Sequence, residues 1–278
     1  MSLSSHPQRV CLLTRHRKAS AIASALDRVG YAVQELVSFD TDTLGTFSGE
    51  VERQGTMRDA ALAKARLACE LGGCRYGLGS EGSFGGDPFL GMSAWGRELL
   101  VWWDAELGYA VEGFVQGPET NWQMREVTSV EDALRFACDA SFPSHGLLVG
   151  RPGEAHFEKA RDEACSDEAD FTARVKVALG SGPVWLQTDM RAHRNPTRMR
   201  MIGRAAAALA ERLATPCPDC SAPGYGPLEA IPGAPCEACG TPTQVPKAEC
   251  WACPRCGHDE QRPLARRASP DRCDRCNP

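Results

Sequence analysis

No stretch of the 278 residues approaches the run of roughly 18 apolar residues that a bilayer-crossing helix needs. The opening residues, MSLSSHPQRVCLLTRHRK, lack the apolar core and small-residue cleavage site of a secretory leader, so the expected location is the cytoplasm. An excess of basic charge is also missing. The formal net charge of −5 offers no overall pull toward phosphate backbones or anionic lipid. No membrane partner is expected, and any nucleic-acid contact has to be local. Glycine and proline number 27 and 19, apolar residues make up 42% and charged residues 24%, which excludes a collagen-like or low-complexity chain. The length suits about two domains.

What the chain has in quantity is cysteine. Nine of its 14 cysteines fall in the last 62 residues. In a reducing cytoplasm, C-x2-C pairs in regular array point to metal rather than to disulfides. Cys217–Cys220 and Cys236–Cys239 are such pairs, 15 residues apart, and Cys253–Cys256 and Cys273–Cys276 are two more, 16 apart. Four thiolates satisfy one tetrahedral zinc ion, so two structural zinc ions are expected. The pairing expected from order alone is sequential, with one ribbon over 215–247 and a second over 248–278; exchange of pairs between the sites is the alternative. Cys250 reads as a spare, packed thiol. Residues 215–278 hold seven Lys/Arg against eight Asp/Glu. Two four-thiolate zinc centres take that charge to about −5, which opposes polyanion binding. Closed four-cysteine sites leave no open position for catalysis, so the tail reads as a brace or a contact surface for a protein partner.

Residues 1–214 alternate strand and helix patterns and show no internal repeat. A strand at Val10–Thr14, a helix with Ala19, Ile22, Ala23, Leu26 and Val29 on one face, and a strand from Tyr31 form a βαβ-like start. Thr56 and Asp59 make a capping-box pattern before an alanine-rich helix. A short strand at Arg75–Gly79 is expected to end in the glycine-rich loop SEGSFGGDPF, followed by a hairpin of Glu98–Trp103 and Tyr109–Gln116. GLGSEG matches G-x-G-x-x-G, but the glycines and proline after it forbid the helix that a dinucleotide site requires. Asp167–Leu179 reads as a helix and Pro183–Asp189 as a strand. Asn195-Pro196 reads as the N-cap and first residue of a long last helix.

The segment TMRDAALAKA, with Thr56, Asp59, Ala61, Lys64 and Ala65, resembles the T-x-x-E-N-A-x-x-K-A helix of the inosine-triphosphate pyrophosphatase-like superfamily, Ala60 standing at the asparagine. LLTRHRK, with Thr14, His16 and Lys18, resembles a looser version of that superfamily's opening T-x-N-x-x-K turn; Glu81 stands where it has an acidic metal-binding turn, and Ala192, His193 and Arg194 where it has a Ser-His-Arg turn. The resemblance implies an α/β fold with a mixed central sheet flanked by helices, and magnesium-dependent hydrolysis of a nucleotide. FPSHG, TDMRAHRNPTRM and the paired knuckles also resemble an uncharacterised bacterial family of unknown function.

From chemistry alone, phosphoanhydride hydrolysis needs cations and N–H donors around the phosphates, carboxylates for a divalent ion, and an oriented water. The candidates for catalysis are Glu81, Asp189, His193 and Glu52. The candidates for binding are Thr14, His16, Lys18, Thr56, Lys64, Ser80, Ser83, Arg191 and Arg198. Each has a structural rival: Thr56 as a cap only, Lys64 as a surface lysine, and Asp189, Arg191 and His193 as a network that pins a loop. The remaining expectations are non-catalytic: a nucleotide sensor whose ribbons engage a protein, or a nucleic-acid-associated protein that uses the basic turn Arg191–Arg200 and the ribbons as its contact surface.

Overall fold

The computed structural model describes residues 7–37, 55–150, 165 and 167–278. Its contacts divide them into two units, one of Met1–Glu106 and Glu112–Ala210, the other of Leu107–Val111 and Glu211–Pro278.

Unit 1 is mixed α/β. Its main sheet has the order β2-β1-β3-β4-β5, from Tyr31–Leu36, Gln8–Leu13, Tyr76–Gly86, Ala94–Asp104 and Tyr109–Gly117. β1 pairs in parallel with both β2 and β3, and β3 pairs antiparallel with β4. The chain thus leaves β1 through helix α1 (Ala19–Asp27) toward one neighbour and returns later to the other. That reversal makes the C-terminal end of β1 a topological switch point, where open α/β sheets form their ligand crevices.

β3 corrects the expected strand and loop. It runs without a break to Gly86, because its whole length is paired with β4, from Tyr76↔Asp104 to Gly86↔Ala94. β1 accompanies it only as far as Leu12↔Leu78, so Ser80, Glu81 and Gly82 extend beyond it. Its glycines serve close packing. Helix α2 (Met57–Gly72) lies so near that a Cβ on Gly77 or Gly79 would come within 1.9 or 1.7 Å of the carbonyl oxygens of Ala65 and Ala61. Helix α5 (Pro196–Leu213) approaches the sheet at Gly82, Gly96 and Gly113. Since side chains alternate along a strand, residues 77, 79 and 81 face α2 while 78, 80 and 82 face away from it. Leu12, Ile22, Leu26, Leu78, Leu100 and Trp102 are fully buried between these layers.

A second, antiparallel sheet of unit 1 has the order β6-β8-β7, from Met124–Val127, Val184–Thr188 and Leu147–Gly150. It packs with α3 (Val130–Asp139) and α4 (Glu168–Leu179) around Phe136, Phe171, Leu147 and Leu186.

Unit 2 contains the meander β9 (Gly226–Pro232), β10 (Pro246–Ala252) and β11 (Asp259–Pro263), ordered β11-β10-β9 and antiparallel throughout. The buried cluster beside it is small: Cys217, Tyr225 and Cys253, with Cys220 and Trp251 against them. A core of that size calls for a covalent or metal staple. Among the described residues no helix is long and apolar enough to cross a membrane.

Candidate functional site

The switch point gathers buried charge. After β1 the chain turns through Thr14-Arg15-His16-Arg17-Lys18 into α1, with Arg17 at φ 53°, a left-handed conformation that costs a non-glycine residue roughly 1 kcal/mol. The turn folds Lys18 back onto the overhanging part of β3, where its Nζ donates to Ser80 O at 3.1 Å and Ser80 Oγ at 3.2 Å. On the same face, Arg198 Nε donates to Glu98 Oε1 at 2.7 Å. Gly82 makes that pair possible, since a Cβ there would lie 2.5 Å from Glu98 Oε1 and 2.6 Å from Arg198 Nη2. On the opposite face of β3, Lys64 of α2 forms an ion pair with Glu81.

Lys18, Glu81 and Arg198 are at most 7% exposed, and Glu98 is fully buried. Among the described residues, three cations, Lys18, Lys64 and Arg198, therefore meet two carboxylates at the overhang of β3. The electrostatics agree. Burial first, then the Arg198 charge, pull Lys18 down to about 8 against the pull of Glu98 and Glu81. Burial raises Glu98 above the usual carboxylate range although Arg198 and Lys18 oppose it. His16 is held down at about 2 by burial and then by Lys18, His193, Arg198 and Arg191, so it is neutral. Its ring stacks on that of His193, with centroids 5.1 Å apart. Burial and then Arg191 also keep His193 below its ordinary value. In this site, among the described residues, His16 Nδ1 and Glu98 Oε2 are buried and have no hydrogen-bond partner.

The loop from β8 to α5 closes this side. Arg191 donates from Nε and Nη2 to the Asp189 carboxylate at 2.7–3.0 Å. Asn195 caps α5, its Oδ1 accepting from Arg198 N–H at 2.9 Å, while its Nδ2 donates to Asp189 O and Asn121 Oδ1. His145, after the cis Phe142–Pro143 bond, accepts from the Thr197 N–H through Nε2 at 3.3 Å and is a packed residue at the helix start.

Lys18 and Arg198 thus meet the Ser80–Gly82 part of β3 on one face, and Lys64 meets Glu81 on the other. Glu81 stands inside a strand and not in a turn. Thr14 is buried, its Oγ1 accepting from His16 N–H at 3.1 Å. Thr56 and Asp59 form a complete capping box at the start of α2. Ser83 is half-buried on the α2 face of β3. Glu52 lies outside the described residues. Glu98, which the sequence reading passed over, lies on the inward-facing register of β4 with Leu100, Trp102 and a second buried acid, Asp104. That register is the signal that finds it.

A resident magnesium ion does not fit these groups. Glu81, Glu98 and Asp189 each face a cation, and the only clusters of three or more metal-ligating side chains among the described residues are thiols.

Those thiols form two centres in unit 2, and they correct the sequential pairing. Cys217, Cys220, Cys253 and Cys256 make one group, and Cys236, Cys239, Cys273 and Cys276 the other. The meander forces the crossing. The knuckles before and after seven-residue β9 lie at opposite ends of the strand, roughly 23 Å apart. The turn between β10 and β11 returns to the first end, and the chain after β11 to the second. Tetrahedral zinc with bonds of about 2.3 Å sets sulfurs ~3.8 Å apart. The spacings here are 3.7 Å for Cys217–Cys256 and Cys220–Cys253, 3.9 Å for Cys236–Cys276 and 3.6 Å for Cys239–Cys273. Each knuckle turns on a backbone bond from the residue after the second cysteine to the first, as in Ser221 N–H to Cys217 O and Gly257 N–H to Cys253 O. In three of the four knuckles the closing residue, Ser221, Gly240 or Gly257, has a positive φ. The donor set can hold two zinc ions. Cys250 lies in β10 and belongs to neither group.

Fold and site together define an α/β domain with a buried cationic switch point, joined to a unit with two crossed four-cysteine centres. Over residues 64–278 the chain matches the family model described as Domain of unknown function (DUF6671), and it belongs to that family. The matched span holds Lys64, the β3 overhang, Arg198 and all eight paired cysteines, but not the Thr14–Lys18 turn. No curated protein and no solved structure matches the chain, so the likeness to inosine-triphosphate pyrophosphatases gains no support.

Proposed function

We propose that unit 1 binds a phosphorylated small molecule, a nucleotide in the leading case, at the C-terminal ends of β1 and β3. The observation that carries this reading is an excess of cations among the described residues: buried Lys18 and Arg198 and partly buried Lys64 against buried Glu81 and Glu98, at a topological switch point. A buried charge without a counter-charge is costly, and an anionic ligand supplies one. The N–H groups that open α1 and α5 add donors for phosphate oxygens.

Binding without turnover is the form of this reading that the chemistry supports best. Each acidic candidate described in the site faces a cation, and burial pushes both histidines toward weaker basicity, so neither histidine is poised as a general base. One atom favours turnover: Glu98 Oε2, unpartnered and able to orient a water toward a phosphoanhydride. In that second reading the divalent ion arrives with the nucleotide and is part of the substrate.

The experiment is equilibrium binding of a panel of nucleoside mono-, di- and triphosphates with and without magnesium, and assay of released phosphate and pyrophosphate. Wild-type protein is expected to bind at least one member, and Lys18→Met to weaken it tenfold or more. Absence of binding by every probe, or an unchanged affinity in Lys18→Met, ends the proposal. Product release that Glu98→Gln abolishes selects the hydrolase.

For unit 2 we propose a structural and protein-contact role. Its metal positions are closed and its charge with zinc is about −5, which sets it against polynucleotides. A polynucleotide affinity that falls steeply with salt contradicts this assignment.

A further inference from the structure

Three cysteines outside the metal centres are drawn together by the end of α2. That helix closes with Gly73 at φ 55°, and the Cys74 N–H returns to Cys69 O at 3.2 Å. This helix-terminating turn brings the residue after its left-handed glycine against the residue five positions earlier. Here both are thiols. Cys74 also packs in the cluster of Cys11, Leu13 and Ala68, and a Cβ on Gly72 would lie 2.4 Å from Cys11 Sγ, so the helix end sits directly on that sulfur. The Cys74 side chain is in hydrogen-bonding reach of the Cys11 and Cys69 thiols. Cys11 and Cys69 are buried and Cys74 is only half-buried.

We propose that Cys74 and Cys11 are a thiol-oxidation site that forms a reversible disulfide in response to hydroperoxides. The sulfur of half-buried Cys74 attacks the peroxide; its S–O bond forms, the O–O bond breaks, the thiol proton is lost and water leaves. The Cys11 sulfur then attacks the resulting sulfenic acid. An S–S bond forms, the S–O bond breaks, and hydroxide takes up the Cys11 proton and departs as water. Two thiols are oxidised and one hydrogen peroxide gives two waters. The bond ties β1 to the segment leading into β3 and closes the loop that carries the Thr14–Lys18 turn, α1 and β2.

The bond has a direct readout, because trypsin releases Cys11 in VCLLTR (10–15) and both Cys69 and Cys74 in LACELGGCR (67–75). The zinc-loaded full chain is exposed to hydrogen peroxide, its free thiols are alkylated, and the peptides are mapped by mass spectrometry. The expected product is a cross-link between those two peptides that accounts for most of the Cys11 signal. It is absent from Cys74→Ser and reversed by a dithiol reductant. A Cys11 peptide that stays alkylated while exposed Cys138 oxidises overturns the proposal. So does a bond confined to Cys69 and Cys74, seen as an uncross-linked LACELGGCR two hydrogens lighter.

Discussion

The two units solve the problem of holding charge in opposite ways. In unit 2 the charge sits on eight thiols whose geometry is local: each knuckle is six or seven residues of sequence, and the sheet has only to bring two knuckles to each end. In unit 1 the charge sits on five side chains from five places, the turn after β1, α2, β3, β4 and α5, and no two of them are close in sequence. The first arrangement tolerates a small core because metal replaces packing. The second exists only when the packing is already right, since Lys18, Glu98 and Arg198 are compatible with burial only as partners.

The largest break in this comparison comes from the metal. Structural zinc contributes apparent free energies of about 10–16 kcal/mol in small zinc domains, so a strong chelator is expected to unfold unit 2 while the helical circular dichroism of unit 1 persists. The crossed pairing predicts the stoichiometry of double variants. Cys217→Ser with Cys253→Ser removes one centre and leaves one zinc per chain, whereas Cys217→Ser with Cys236→Ser damages both and leaves close to none. Metal analysis of the two purified variants decides, and sequential ribbons give the reverse order.

Next in size is the pair inside the sheet. Removing one member of a buried ion pair costs about 3–5 kcal/mol because the survivor is left uncompensated. Arg198→Met is therefore expected to lower stability by up to that amount in a denaturant titration, since Glu98, at zero exposure, loses its hydrogen-bonded partner and keeps only the charge of Lys18. Replacing both, as Arg198→Met with Glu98→Leu, should cost much less than the single change. A double variant as unstable as the single would show that Arg198 acts mainly through its bond to Met190 O and the 189–195 loop.

Legibility followed the same division. The eight ligands, the capping box at Thr56–Asp59 and the Asn195-Pro196 helix start could be read directly, because each is a local pattern whose chemistry lies within a few residues. The crossing of the knuckles could not be read from cysteine spacing. It was available in the extended segments GPLEAIP and PKAECWA between the knuckles, since a strand places its two ends far apart. The strand through SEGSFGG was hidden because glycine normally disfavours strands. Here the close approach of α2 at Gly77 and Gly79 and the packing around Gly82 favour glycine, and the unbroken ladder with β4 supplies what propensity does not. Glu98 was hidden among apolar neighbours, and its pairing with Arg198 depends on two segments 100 residues apart.

A pH titration separates the two roles of Lys18, its place in the packing and its charge toward a ligand. Burial and the Arg198 charge hold it at about 8, below its ordinary 10.5. Between these values the unfolded chain carries a proton that the folded chain has lost, so this residue's contribution to stability rises as pH climbs through the window. Below pH 8 both states are protonated and its contribution is flat. Anion affinity runs the other way. It should be full below pH 8 and fall severalfold toward pH 10 as the cation is lost. Parallel measurement of ATP affinity and of denaturant midpoint, in wild type and Lys18→Met, should show opposite slopes that both diminish in the variant. Slopes that persist in Lys18→Met assign the titration to another group.

The smallest effect tests whether the local patterns of unit 1 are only local. Thr56 Oγ1 and the Thr56 N–H are both engaged with Asp59, whose carboxyl is lowered by the Thr56 backbone and hydroxyl bonds. Loss of such a cap costs about 1 kcal/mol. Thr56→Ala should therefore shift the unfolding midpoint by that amount, and Thr56→Ser should restore it. α2 runs antiparallel to β3, with Ala65 over Gly77 and Ala61 over Gly79, so its first turn lies at the same end of the sheet as Ser80–Gly82. Nearness alone would let Thr56 serve a ligand as well. If the hydroxyl is used up by the helix, ATP affinity in Thr56→Ala stays within twofold of wild type. A tenfold loss would move Thr56 from the helix's own bookkeeping to the site, and would make this end of α2 a part of the cationic cluster that sequence did place correctly.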